Sequence, residues 1–192
     1  MKRRRRSGPP SPDAATTAAE AAARRRRSLV FLGKFAALLV GFALLVSWTP
    51  VNDSVVVPFT SLVAKAAAVA LNALSEGVTV EGTAIRSPAF AVDVENGCNG
   101  LETALLLAAA ILAFPASWRA RALGLVAGFA GIQAINLVRV VSLFWIGRHR
   151  PSLFSAAHTV IWQSIVVLAG VVLFLVWAAR QRERPEPTAG TE

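Results

Sequence analysis

The sequence predicts an all-α integral membrane protein with about four transmembrane helices, an interfacial helix and a small extracytoplasmic β-hairpin-like segment. Three observations predict it. Hydrophobic residues make up 55% of the 192 residues and charged residues only 16%, whereas a soluble domain is about a quarter charged. Several apolar stretches are long enough to cross a bilayer at about 1.5 Å per residue. The net charge of +9 is uneven: residues 1–28 hold nine Lys/Arg and two acids, leaving only +2 for the rest of the chain. The basic character therefore belongs to a tail, which excludes a nucleic-acid-binding core. One Cys excludes an intrachain disulfide. Together with two His it makes no convincing zinc cage, so neither a metal nor an organic cofactor is expected.

Residues 1–28 set two Arg blocks around a Pro/Ser/Ala stretch with nothing to bury, and are expected to be a disordered cytoplasmic tail. Leu29–Trp48 is the first span. It is read as an uncleaved anchor, because Ser47, Trp48, Thr49 and Pro50 do not form a small-x-small cleavage site. Val55–Leu74 is apolar but interrupted by Pro58, Thr60, Ser61, Lys65 and Asn72, so it could span or lie along the interface; it is read as interfacial, because one more span would put the basic stretch at Arg119 and Arg121 outside or flip the C-terminus. Residues 76–95 alternate apolar and polar at Val78 and Val80 and again at Phe90, Val92 and Val94, with Gly82 and Pro88 as breakers. That is strand periodicity, and it belongs outside the bilayer, where open sheet edges are tolerated. Three further spans are expected at about 98–116, 122–147 and 159–179.

The basic stretches holding Arg119 and Arg121, and Arg180, Arg182 and Arg184, should be cytoplasmic. The membrane domain then covers 29–180. Both termini, including the 181–192 tail, lie inside, and residues 49–97 and 148–158 face outward. Arg148 and Arg150 on the outer side run against this pattern. All five Trp fall near proposed span ends, as an aromatic belt requires.

A few polar residues stand out because ionisable groups within a membrane are costly. Arg139 lies inside a span, with Asn136 one turn earlier on the same face and able to orient it. Cys98 sits in Asn96-Gly97-Cys98-Asn99-Gly100, where two glycines permit an unusual turn. A helix N-terminus and a nearby Arg would lower its thiol pKa and yield a reactive thiolate. Glu102 follows four residues later and is expected to pair with Arg139 or orient it. His158 precedes the last span, where a helix N-terminus favours neutral imidazole and base chemistry. His149, between two arginines, fits a polar rim. The expected topology puts Cys98, Arg139 and His158 on one side of the membrane as nucleophile, cation and base. The alternative is a non-catalytic membrane assembly subunit with a buried Arg139–Glu102 pair and Cys98 as filler.

Taken together, Cys98-Asn99-Gly100, Asn136-Leu137-Val138-Arg139 and His158 resemble the exosortase/archaeosortase family of membrane cysteine transpeptidases. The short chain and the NGCNGLE run are most similar to the exosortase H branch. The resemblance covers roughly residues 96–178. It departs at Asn99, where many members carry Ser or Thr. The resemblance implies a cysteine protease/transpeptidase with Cys98 as nucleophile, His158 as the proton-transfer residue and Arg139 as the third member. Asn136, Glu102, Asn99 and Gly100 support them. It implies exported protein substrates with a C-terminal tail of a short motif (IPTLxxWG type), a transmembrane helix and a basic cluster. The new C-terminus would pass to an unidentified acceptor nucleophile. The implied setting is the lipid of a bacterial inner membrane, with the active site facing the periplasm.

Overall fold

A computed structural model describes residues 12–182. Five helices and one small sheet make up the described residues. Helix α1 spans Pro12–Ser47. The basic segment expected to be disordered is helical from Pro12 onward, and residues 1–11 lie outside the described residues. Its Ala- and Arg-rich composition favours helix intrinsically, and it continues without a break into the apolar span. Trp48 ends α1 by adopting extended backbone (φ −72°, ψ 120°), with Pro50 in the first turn of the next helix.

Helix α2 spans Thr49–Ala73 and contains a π-helical turn at Asn52–Val56. Pro58 follows that turn after one residue. A proline ring clashes with the carbonyl four residues back, and a widened turn relieves the clash. The helix closes with left-handed Ser75 (φ 64°) and an amide–carbonyl bond from Glu76 to Leu71. Thr60, Val63, Ala64, Ala67, Ala68 and Leu71 form its buried stripe.

The hairpin-like segment is a three-stranded antiparallel meander of β1 (Thr79–Glu81), β2 (Ala84–Arg86) and β3 (Ala91–Asp93) in that spatial order. Gly82 (φ 62°) permits the tight β1–β2 turn. Val78, Ile85 and Val94 pack onto the α2 stripe with Val140 and Phe144. Asn72 clamps the start of the sheet through both amide atoms, bonding Val78 O (3.0 Å) and Val78 N (2.7 Å).

Helices α3 (Leu101–Ala113), α4 (Trp118–His149) and α5 (Pro151–Gln181) follow. Among the described residues four helices are long and apolar enough to cross a membrane: Ala19–Ser47 within α1, then α2, α4 and α5. The expected span at 98–116 contains instead the 13-residue α3, about 20 Å long against a hydrocarbon core of about 30 Å. α3 lies inside the bundle, packed by α1, α4 and α5. α2 has the length of a span, yet only its first turns pack on α1. From Val57 on it packs against α4 and lies beneath the sheet.

Small residues let the long helices approach closely. A Cβ on Gly128 would stand 2.7 Å from Leu107 Cδ2, and one on Gly124 would overlap the Trp177 ring. Trp177 donates to Ala120 O at 3.2 Å. Phe31 of α1 meets Phe114 and Phe174 at this same end of the bundle. Lipid-sized Leu and Val side chains, such as Leu44, Leu168 and Leu175, remain exposed on the outer faces.

Gly128→Val should therefore lower unfolding free energy by about 1–3 kcal/mol through overpacking, read as a lower thermal midpoint in detergent. Gly41→Ala, with open space around the added carbon, should leave the midpoint unchanged or slightly raised.

Candidate active site

Cys98 sits in a tight turn between β3 and α3. Its amide bonds Glu95 O at 2.9 Å, and Gly97 (φ 86°) and Gly100 (φ 76°) are both left-handed. Gly100 is required twice over. It caps α3 in a conformation that L side chains resist, and a Cβ there would stand 3.0 Å from the Asn136 side chain. Asn99 fixes the turn from inside. Its Oδ1 accepts the Leu101 amide at 2.9 Å, and its Nδ2 donates to Thr60 Oγ1 at 2.8 Å. Thr60 donates onward to Val56 O at 2.8 Å, at the end of the π-turn of α2. Asn96 Nδ2 reaches Asn52 Oδ1 at 2.9 Å, tying the same π-turn to the other side of the loop.

Two helices bring functional groups to the sulfur. His158 of α5 places Nε2 2.8 Å from Cys98 Sγ. Arg139 of α4 places Nη2 3.6 Å from the sulfur and Nη1 3.4 Å from Gly97 O. Arg139 is only 2% exposed. Among the described residues no carboxylate pairs with it, and its Nε has no partner. Phe154, one turn before His158, stacks on the imidazole (centroids 5.8 Å, planes 19° apart). A cleft of about 200 Å³ opens beside the pair, lined by Val92–Glu95, Val140, Leu143 and Phe154.

Several expectations are corrected here. Glu102 forms no ion pair with Arg139; its carboxylate lies against Gly97 and faces a second hollow of about 390 Å³. The reason is geometric: Glu102 lines that hollow with Asn52, Asn96 and Gly97, whereas Arg139 reaches the sulfur from α4. Asn136 does not orient Arg139. It is fully buried under Gly100, with both amide atoms unbonded. His158 is not at a helix N-terminus. It lies in a π-turn, Ala157–Trp162, seven residues into α5. Cys98, in the turn outside every helix, does not have a lowered pKa. Burial pushes its thiol up, Arg139 pulls it back, and Glu95 and Glu102 push it further up. Arg148 of the outward pair is bound to Glu76, and His149 stacks on Trp145.

The sequence reading missed Thr60, Phe154 and the Gly97 carbonyl. Phe154 stands at i−4 from His158, a helical spacing visible in the chain. Thr60 had no such signal, since it lies in an apolar stripe. Among the described residues no group of three or more His, Cys, Asp and Glu side chains could hold a metal ion.

With its hydroxyl bridging Asn99 to Val56 O, Thr60 holds the cysteine turn without touching the sulfur. Thr60→Val should slow alkylation of Cys98 by iodoacetamide several-fold, about the value of one buried hydrogen bond. Thr60→Ser should restore the rate.

No curated protein and no solved structure matches the chain. Residues 20–180 match the family model described as Transmembrane exosortase (Exosortase_EpsH). The match includes the cysteine turn, the buried arginine and the histidine of α5, and with four helices long and apolar enough to cross a membrane it identifies a multi-pass membrane protein that belongs to the transmembrane exosortase family.

Proposed function

We propose that this exosortase-family chain is a membrane-embedded cysteine protease/transpeptidase that removes C-terminal sorting tails from exported proteins and passes the new C-terminus to an acceptor. The observation that carries the reading is the approach of His158 Nε2 to within 2.8 Å of Cys98 Sγ, with the Arg139 guanidinium on the same sulfur. A thiol whose pKa is raised by burial needs a base at the moment of attack. His158 takes the thiol proton as the sulfur bonds the scissile carbonyl carbon. The carbonyl oxygen becomes an oxyanion, stabilised by Arg139, a contribution of about 10²–10³ in rate for one such donor. The carbon–nitrogen bond then breaks and His158 protonates the departing amine, leaving a thioester on Cys98. An acceptor amine or water loses its proton to His158 and attacks the thioester. The carbon–sulfur bond breaks, and the thiolate regains its proton from His158.

The setting follows from charge. Arg119 and Arg121 begin α4 and Arg180 ends α5, at the end of the bundle where Phe31 meets Phe114 and Phe174. The positive-inside rule makes that end cytoplasmic, and Cys98, at the opposite end, periplasmic. The part of α2 under the sheet then lies at the outer interface. The assembly-subunit reading has lost the ion pair on which it rested, since Arg139 and Glu102 do not meet among the described residues.

C-terminal peptide mapping of the host's membrane and exported proteins, wild type against Cys98→Ala, tests the proposal without a prior guess of substrate. A set of proteins should keep an intact hydrophobic-plus-basic tail in the variant, while the variant itself accumulates normally in the membrane. Unchanged tails at normal variant levels would return the chain to an assembly role.

A further inference from the structure

Strand β3 keeps one side of its backbone free. Val92 pairs with Ile85, and the flanking bonds run from Ser87 N to Phe90 O (2.8 Å) and from Val94 N to Thr83 O (3.1 Å). Phe90, Val92 and Val94 therefore direct their backbone groups toward β2. In an antiparallel ladder this alternates residue by residue, so the N–H and C=O of Ala91 and Asp93 point away from the sheet. The order β1-β2-β3 leaves β3 at an edge, and among the described residues those four groups have no backbone partner. Natural sheets blunt exposed edges with Lys, Pro or a bulge, and residues 91–93 carry none of these. The one charge there, Asp93, is exposed, and its carboxylate accepts from Thr83 Oγ1 at 2.6 Å, on the β2 side rather than at the free edge.

The free edge borders the cleft that holds the cysteine–histidine pair. Val92, Asp93, Val94 and Glu95 line it together with Cys98 and His158, and Val140, Leu143 and Phe154 supply apolar surface. We propose that the β3 edge is the substrate-docking strand: an extended stretch of the exported protein's tail adds to the sheet through the backbone N–H and C=O groups of Ala91 and Asp93, beside Cys98. This rests on the protease/transpeptidase reading above. Strand addition holds the substrate main chain in one extended conformation whatever its side chains. Side chains then alternate every second residue, so one turns into the apolar cleft while its neighbours face out. The edge supplies affinity and register, and the Val140–Leu143–Phe154 surface selects an apolar residue near the cut.

Proline separates this edge from the fold. Ala91 and Asp93 do not use their N–H toward β2, so proline is tolerated there by the β2–β3 ladder while it removes the edge donor. The probe is a host protein whose tail loss depends on Cys98, identified by the mapping above. Ala91→Pro and Asp93→Pro should each cut its processing rate about tenfold and leave iodoacetamide alkylation of Cys98 unchanged. Glu81→Ala, an exposed change on the far strand β1, should process within about twofold of wild type, the scale of an ordinary surface substitution. Proline variants that process at the wild-type rate overturn the proposal, as does an equal loss in Glu81→Ala. If a proline also slows alkylation, hydrogen exchange decides, using Cys98→Ala protein and a synthetic peptide spanning the probe's cleavage point. Protection gained at the Ala91 and Asp93 amides supports edge docking, and unchanged protection overturns it. A wild-type protein that leaves every tail intact overturns the underlying reading, and the docking proposal with it.

Discussion

Arg139 carries a charge that water does not reach and no carboxylate neutralises among the described residues. A buried, unpaired guanidinium is costly, and its nearest polar neighbours are a backbone carbonyl and a thiol sulfur. What the site lacks is a negative charge at the sulfur or at the carbonyl oxygen bound to it. The resting protein holds the cation; in the proposed reaction the thiolate and the oxyanion supply its partner. This is how a preorganised donor favours a transition state over a ground state.

That arrangement asks for a rigid turn at Cys98, and much of the surrounding fold provides it. Two left-handed glycines bend the chain, α4 presses Asn136 against Gly100, and Asn99 is bonded at both ends of its amide. The anchor for Asn99 is Thr60, just beyond the π-turn that Pro58 makes necessary in α2. A second π-turn holds His158. π-Turns recur at functional sites because they shift a side chain off the regular helical face. Here both occur within hydrogen-bond reach of the cysteine loop or one residue from it.

The candidate residues were more legible in the chain than their geometry. Cys98, Arg139 and His158 stood out because polar groups are rare in an apolar sequence, and the structure brings all three together. The small sheet was visible from the period-2 alternation at Val78–Val80 and Phe90–Val94, although its third strand was not separated from the others. Cross-helix distances were not legible. Glu102 and Arg139 are complementary charges, but no spacing within the chain says that α3 turns the carboxylate toward Gly97. The helix-dipole arguments for Cys98 and His158 failed for a common reason. Both assumed a helix starting next to the residue, whereas α3 starts after Gly100 and α5 starts at Pro151. Desolvation then outweighs the nearby cation at the thiol.

The pH dependence of Cys98 alkylation by iodoacetamide tests the central claim that Arg139 acts on the sulfur's negative charge. Alkylation follows the thiolate, so its midpoint reads the thiol pKa. In the wild type the midpoint should lie above that of an ordinary cysteine, because burial outweighs the arginine. Arg139→Gln removes the opposing cation and should move the midpoint higher still, with slower alkylation at neutral pH. Glu102→Gln removes a carboxylate that raises the pKa and should move the midpoint lower. A midpoint that stays in place or falls in Arg139→Gln would contradict the account, and the buried arginine would then be a structural group with no hold on the nucleophile.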